Sequence, residues 1–147
     1  MKPSSPLVIL RERAEAALEN ATRKLGEVQR QHQHAGEQLE ALLTWQQEYR
    51  HSLNNSMQSG ITGQRRENYI QFIQSLELAI EQQRQQLMRW SEKVAQALND
   101  WRDHQQRLLT WQTLESRKAS EAQYQAQRQE QKQMDEYARR ASRGKTS

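Results

Sequence analysis

Apolar residues recur along this chain at spacings that alternate between three and four, the signature of a helix that buries a single stripe. One series reads Leu7, Ala14, Ala21, Val28, Ala35, Leu42, Tyr49; a second, four residues on, reads Leu18, Leu25, His32, Leu39, Gln46, Leu53. Taken as the d and a positions of a heptad, they form a seam about seven heptads long, with His32 and Gln46 as polar layers. The pattern stops at Asn54-Asn55-Ser56, and Gly60 and Gly63 bracket Ile61-Thr62, which marks a turn. A second seam follows, with Tyr69, Leu76, Gln83, Trp90, Ala97, His104 and Trp111 at d, and Ile73, Ile80, Leu87, Val94, Trp101 and Leu108 at a. After Leu114 the register is expected to fail, because Glu115 and Lys118 fall on the seam. Residues 115–135 are helix formers with little to bury, and a last short stripe appears at Met134, Tyr137, Ala138 and Ala141.

Two seams joined by a short glycine turn predict an antiparallel hairpin, and the prediction can be tested within the sequence. In an antiparallel pair an a residue faces a d residue, so the numbers of facing residues have a constant sum. With a sum of 122 every layer obeys: Leu53 faces Tyr69, Tyr49 faces Ile73, Leu42 faces Ile80 and Val28 faces Val94. Large residues then meet small ones, as close packing requires: Ala21 faces Trp101, Ala35 faces Leu87 and Ala14 faces Leu108. Arg11 would lie against Trp111, in reach of a cation–π contact. The expected fold is therefore all-α: one long antiparallel two-helix coiled-coil hairpin, with helices over about 5–57 and 65–141, a turn over 58–64 and a basic tail over 142–147. Ser4 or Ser5 would cap the first helix, with Pro6 in its first turn. Each arm would be roughly 75 Å or longer, and the second would overhang the first by about two dozen residues. Such an overhang has no partner within the chain, so it frays or is held by something else.

Composition narrows the function. The chain has 147 residues, only 34% of them apolar, with 24 Gln and no Cys. A mean hydropathy of -1.17 is too polar for a compact domain with one sizeable core. No apolar run reaches the roughly 18 residues of a membrane span, and no signal peptide is expected. Without Cys there are no disulfides, thiolate metal sites or Cys nucleophiles. The net charge is +4, all of it assignable to Arg139, Arg140, Arg143 and Lys145, so the preceding residues balance. A neutral rod with interleaved charges and no basic groove of stacking aromatics argues against nucleic acid. A thin apolar face argues against a membrane-surface helix. No Gly-rich phosphate loop occurs, and two helices enclose no dry pocket, so the chain is not expected to be an enzyme. His32 and His34 point to different helix faces and cannot share a metal, whereas His32 and His104 read as polar seam layers. The interest lies on surfaces.

Near the turn the stripe widens on one edge. Gln38, Trp45, Phe72 and Ala79 occupy g positions, which line the same edge in an antiparallel pair, and they adjoin Leu42, Tyr49, Leu76 and Gln83. These residues either cover the seam or form a one-sided patch for a partner; clustered exposed aromatics favour the patch. The open end is different. Arg11 and Arg13 lie beside Trp111, and the overhang continues to the stripe at Met134, Tyr137, Ala138 and Ala141 beside Arg139. That end is either a solvated tail or a helical face for a partner whose approach the charge would steer.

The sequence resembles the FliJ family of the flagellar type III protein export apparatus over nearly its whole length. The resemblance is carried by Leu25-Gly26-Glu27, by Gln46 to Tyr49-Arg50, and by Asn68-Tyr69-Ile70-Gln71-Phe72-Ile73-Gln74-Ser75-Leu76-Glu77. It continues through Trp101-Arg102, Arg107-Leu108, Trp111-Gln112-Thr113-Leu114 and Met134-Asp135-Glu136-Tyr137-Ala138. Off-seam residues match along with the heptads, which composition alone does not produce.

The resemblance implies an antiparallel coiled coil similar to the stalk of rotary ATPases, with no catalysis, cofactor or metal of its own. It implies binding to the export ATPase FliI, whose regulator is FliH, with the stalk placed in the ring and promoting ring assembly. It also implies contact with the export-gate protein FlhA and with chaperones of late substrates, and a place in the cytoplasm and on the cytoplasmic face of the inner membrane. The turn-proximal patch of Gln38, Leu42, Trp45, Tyr49, Phe72, Leu76, Ala79 and Gln83 matches the family's surface for the gate, with Trp45 where Tyr is common and Gln83 where His can occur. By analogy with the stalk, the end bearing Arg11, Arg13, Trp111, Met134, Tyr137, Ala138, Arg139 and Ala141 would enter the ATPase ring. The competing expectation is a generic coiled-coil adaptor or nucleic-acid-associated rod.

Overall fold

Residues 5–144 are described by a computed structural model, and nearly all of them belong to two helices: α1, Pro6–Ser59, and α2, Gly63–Gly144. Ser4 and Lys145 lie outside the described residues. Ser5 takes the capping place of α1. Its carbonyl accepts the Ile9 N–H at 3.2 Å, and Pro6, which has no N–H to leave unpaired, opens the first turn.

The turn is tighter than the sequence pattern indicates. α1 continues through Asn54-Asn55-Ser56, and Ser59 Oγ donates back to the Asn55 carbonyl at 3.1 Å. The helix ends at Gly60, whose φ of 84° lies in the left-handed region that a Cβ disfavours. The Gly60 N–H donates to the Met57 carbonyl at 3.3 Å, which satisfies one of the carbonyls of the last turn of α1. Thr62 then caps α2, its Oγ1 accepting the Arg65 N–H at 3.2 Å. Only residues 60–62 separate the helices.

The chain divides into two compact units. In the unit Glu19–Arg102, α1 and α2 pack antiparallel around a core one side chain thick. The four buried apolar residues among those described are Ala35 (3% exposed), Ile73, Leu76 and Ile80 (4% exposed). All four occupy seam positions, and every other seam residue of this unit is half-buried except Tyr49. Contacts across the helices follow the expected register. Gln83 Nε2 donates to the Ala35 carbonyl at 3.0 Å and to Gln38 Oε1 at 3.2 Å. Trp101 Nε1–H donates to Thr22 Oγ1 at 2.9 Å, and a Cβ on Gly36 would meet Leu87 Cδ1 at 3.9 Å. The residue numbers in these pairs sum to between 118 and 123. Two helices can enclose only one stripe, so most of each helix stays wet.

The other unit joins α1 through Leu18 to α2 from Asp103 onward. Leu18, His104, Ala14, Leu108, Arg11 and Trp111 are all half-buried, as the register requires. Leu7 is half-buried too, and on α2 the seam runs one position further than the sequence pattern indicates, because Glu115 is half-buried as well. Glu115 is tolerated there because Arg11 Nε donates to its Oε2 at 2.6 Å. Arg11 Nη1 also reaches Glu15 Oε1 at 2.8 Å. Hydrogen bonds to Glu15 and then Glu115 raise the Arg11 pKa above its ordinary value. The guanidinium placed against Trp111 in the sequence reading is thus engaged by two carboxylates. Beyond Glu115 the seam ends, and residues 116–144 of α2 are exposed throughout.

Candidate interaction surfaces

In the unit Glu19–Arg102 the turn-proximal residues separate into an interior set and a surface set. Leu76 is 6% exposed and belongs to the core. Leu42 and Ala79 are half-buried beside it. Gln83 is half-buried too, and its amide nitrogen is used by Ala35 and Gln38, which makes it a cross-helix pin more than a free contact. The surface set is Gln38, Trp45, Tyr49 and Phe72, with Trp45 53% exposed. Tyr49 joins the two helices through its ring. Its centroid lies 4.3 Å from that of Phe72, with the planes tilted by 39°, and 6.3 Å from that of Tyr69. Aromatic pairs at such distances gain roughly 0.5–1.5 kcal/mol beyond the area they bury. The ion pair of Arg50 with Glu77, at 3.0 Å, is half exposed on both sides and adds little.

Three neighbours of this cluster are not part of the patch expected from the sequence. Arg65, Asn68 and Tyr69 join Tyr49 and Phe72 around an open hollow of about 270 Å³. Tyr69 is a d residue of the seam, and Arg65 and Asn68 fall on no apolar position of either series. Their convergence depends on how tightly the turn closes, which heptads do not encode.

In the unit containing the open end, the proposed contact residues do not share one environment. Arg11 and Trp111 are half-buried in the last layers of the seam, while Arg13 is exposed. Met134 and Tyr137 are 70% and 77% exposed, and Ala138, Arg139 and Ala141 are exposed with them on α2. Spacing at i, i+3, i+4 and i+7 puts Met134, Tyr137, Ala138 and Ala141 on one helix face, which none of the described residues covers. Leu109 of this unit, and Leu78 and Met88 of the unit Glu19–Arg102, are also more than half exposed, away from the seam. Among the described residues no group of three or more His, Cys, Asp or Glu could hold a metal ion, and no helix is long and apolar enough to cross a membrane.

Fold and surfaces together define a coiled-coil hairpin whose exposed aromatic cluster and uncovered helix face suit it to docking. Its relatives are specific. The family model described as "Flagellar FliJ protein" matches residues 2–147. The chain is 49% identical over 142 residues to the flagellar FliJ protein of Escherichia coli (strain K12), covering 97% of each chain. It is 47% identical over 142 residues to the flagellar FliJ protein of Salmonella typhi, again covering 97% of each. The chain belongs to the flagellar FliJ family.

Proposed function

We propose that this chain is a non-enzymatic, stalk-like component of the flagellar protein export apparatus that carries two separable docking surfaces. The exposed cluster of Trp45, Tyr49 and Phe72 receives the export-gate protein FlhA. The end bearing Arg13 and the face of Met134, Tyr137, Ala138 and Ala141 engages the ring of the export ATPase FliI, alongside its regulator FliH, and promotes ring assembly. Late-substrate chaperones are bound in passing, and attachment to the cytoplasmic face of the inner membrane runs through these protein partners. Family membership supports the setting. The observation that carries the two-surface reading is the contrast in exposure: Trp45 and Phe72 stay in water although the adjacent Leu76 and Ile80 are buried. An aromatic pair left outside a completed core is available for a partner.

Separability is the test. Trp45→Ala combined with Phe72→Ala should lower affinity for the gate protein's cytoplasmic region by about tenfold or more while sparing the ATPase. Truncation after Glu130 should do the reverse, and should remove any stimulation of ATPase activity at low enzyme concentration. If both changes act alike, or neither acts, the two-surface reading is wrong and a generic adaptor remains.

A further inference from the structure

The hollow between the turn and the aromatic cluster has a chemistry of its own. It is lined by the three aromatic residues Tyr49, Tyr69 and Phe72 together with Arg65 and Asn68. No carboxylate lines it. Arg65 differs in this from Arg11 and Arg50, each of which is held by a Glu. Among the described residues the Arg65 side chain meets no carboxylate; only its backbone N–H is engaged, by Thr62. The first turn of α2 contains no acid to offset the positive end of the helix, and Arg65 and Arg66 add to it. Three aromatic residues beside an arginine that meets no carboxylate suit one kind of occupant: an apolar side chain flanked by carboxylates.

We propose that this hollow receives an acidic protein segment that inserts an aromatic or aliphatic side chain between Tyr49, Tyr69 and Phe72 while Arg65 pairs with an adjacent carboxylate. Asn68 supplies a neutral donor and acceptor for the segment's backbone. The proposal deepens the gate-binding reading by giving the partner a chemistry, but the hollow's selectivity can be measured without the gate protein. A basic or neutral segment would fill the rings equally well and leave Arg65 unpaired, so charge decides the selectivity.

The test uses the full chain and two six-residue peptides, acetyl-Glu-Asp-Phe-Glu-Asp-Leu-amide and its Gln/Asn analogue, titrated by NMR. The acidic peptide should bind at least about fivefold more tightly at low salt, since a charge-assisted contact is roughly twice as strong as a neutral one. Its shifts should concentrate on the Tyr49, Tyr69 and Phe72 rings and on the Arg65 side chain. Arg65→Gln should erase the difference between the peptides, and Arg65→Lys should keep part of it; Arg65 is exposed, so neither substitution removes a core contact. Equal binding of the two peptides, no binding of either, or selectivity that survives Arg65→Gln would overturn the proposal. Binding of the gate protein's cytoplasmic region is measured alongside with the Trp45→Ala, Phe72→Ala variant. Gate binding that this variant weakens, with no peptide selectivity, removes the hollow and leaves the gate reading; a selective hollow with no gate binding does the opposite.

Discussion

Ile80→Ala and Leu78→Ala form a paired experiment on whether the seam is where the stability resides. The two residues are separated by one position on α2, yet Ile80 is 4% exposed and Leu78 is 63% exposed. Each substitution removes three carbons. At about 0.8 kcal/mol per buried methylene, the transfer cost at Ile80 is about 2.4 kcal/mol. Ile80 lies among the buried residues of the unit, so incomplete collapse adds a cavity contribution and brings the expected loss to about 3 kcal/mol. Leu78 buries about a third as much, and alanine is the better helix former, so its loss should be about 0.6 kcal/mol. Urea unfolding followed by far-UV circular dichroism measures both, and the midpoint should move while the slope does not. Equal losses at the two positions would refute the seam, because they would mean that α2 is rotated about its axis from the register described here.

Three other outcomes follow from particular contacts. Gly60→Ala should cost about 1–2 kcal/mol, since φ is 84° there with nothing within 4 Å of a new Cβ, whereas Gly63→Ala should be neutral or stabilising; equal effects in thermal melts would contradict the turn geometry. Gln83→Leu should be neutral or stabilising by about 1 kcal/mol, because Ala35's carbonyl is already in a helix, but it should admit larger oligomers in sedimentation equilibrium. Amide hydrogen exchange should be fast over residues 116–144, which have no seam, and slowest around Ile73, Leu76 and Ile80; uniform protection along α2 would show that the overhang is covered by something in solution.

The seam was legible because burial in a two-helix packing is set by residue spacing alone. Every position named in it is buried or half-buried apart from Tyr49, and the Trp101 Nε1–H meets Thr22, one residue from the position that the constant sum gives. What the pattern missed were polar compensations. Glu115 reads as a break in the seam until Arg11, several residues from its expected partner, is seen to satisfy it. The heptad pattern stops at Asn54-Asn55-Ser56 and the turn is expected over 58–64, but the helix runs on to Ser59 because the backbone has no better alternative until Gly60. The surface cluster was legible in part. Trp45 and Phe72 stood out as apolar side chains off the seam, whereas Leu76 and Gln83, assigned to the same patch, turn inward to the core and to Ala35. Arg65 and Asn68 carry no apolar signal and could be found only once the turn was closed.

A core one side chain thick also shapes how the molecule responds to temperature. The heat capacity of unfolding scales with apolar surface newly exposed to water, about 12–15 cal/mol/K per residue in ordinary globular domains. Here only four apolar side chains among the described residues are buried, and most of each helix is already hydrated, so the value per residue should fall well below that range. The curvature of stability against temperature falls with it. Such a chain has a shallow stability curve, losing little on cooling and little on modest warming, with helix hydrogen bonding setting more of the balance than burial does.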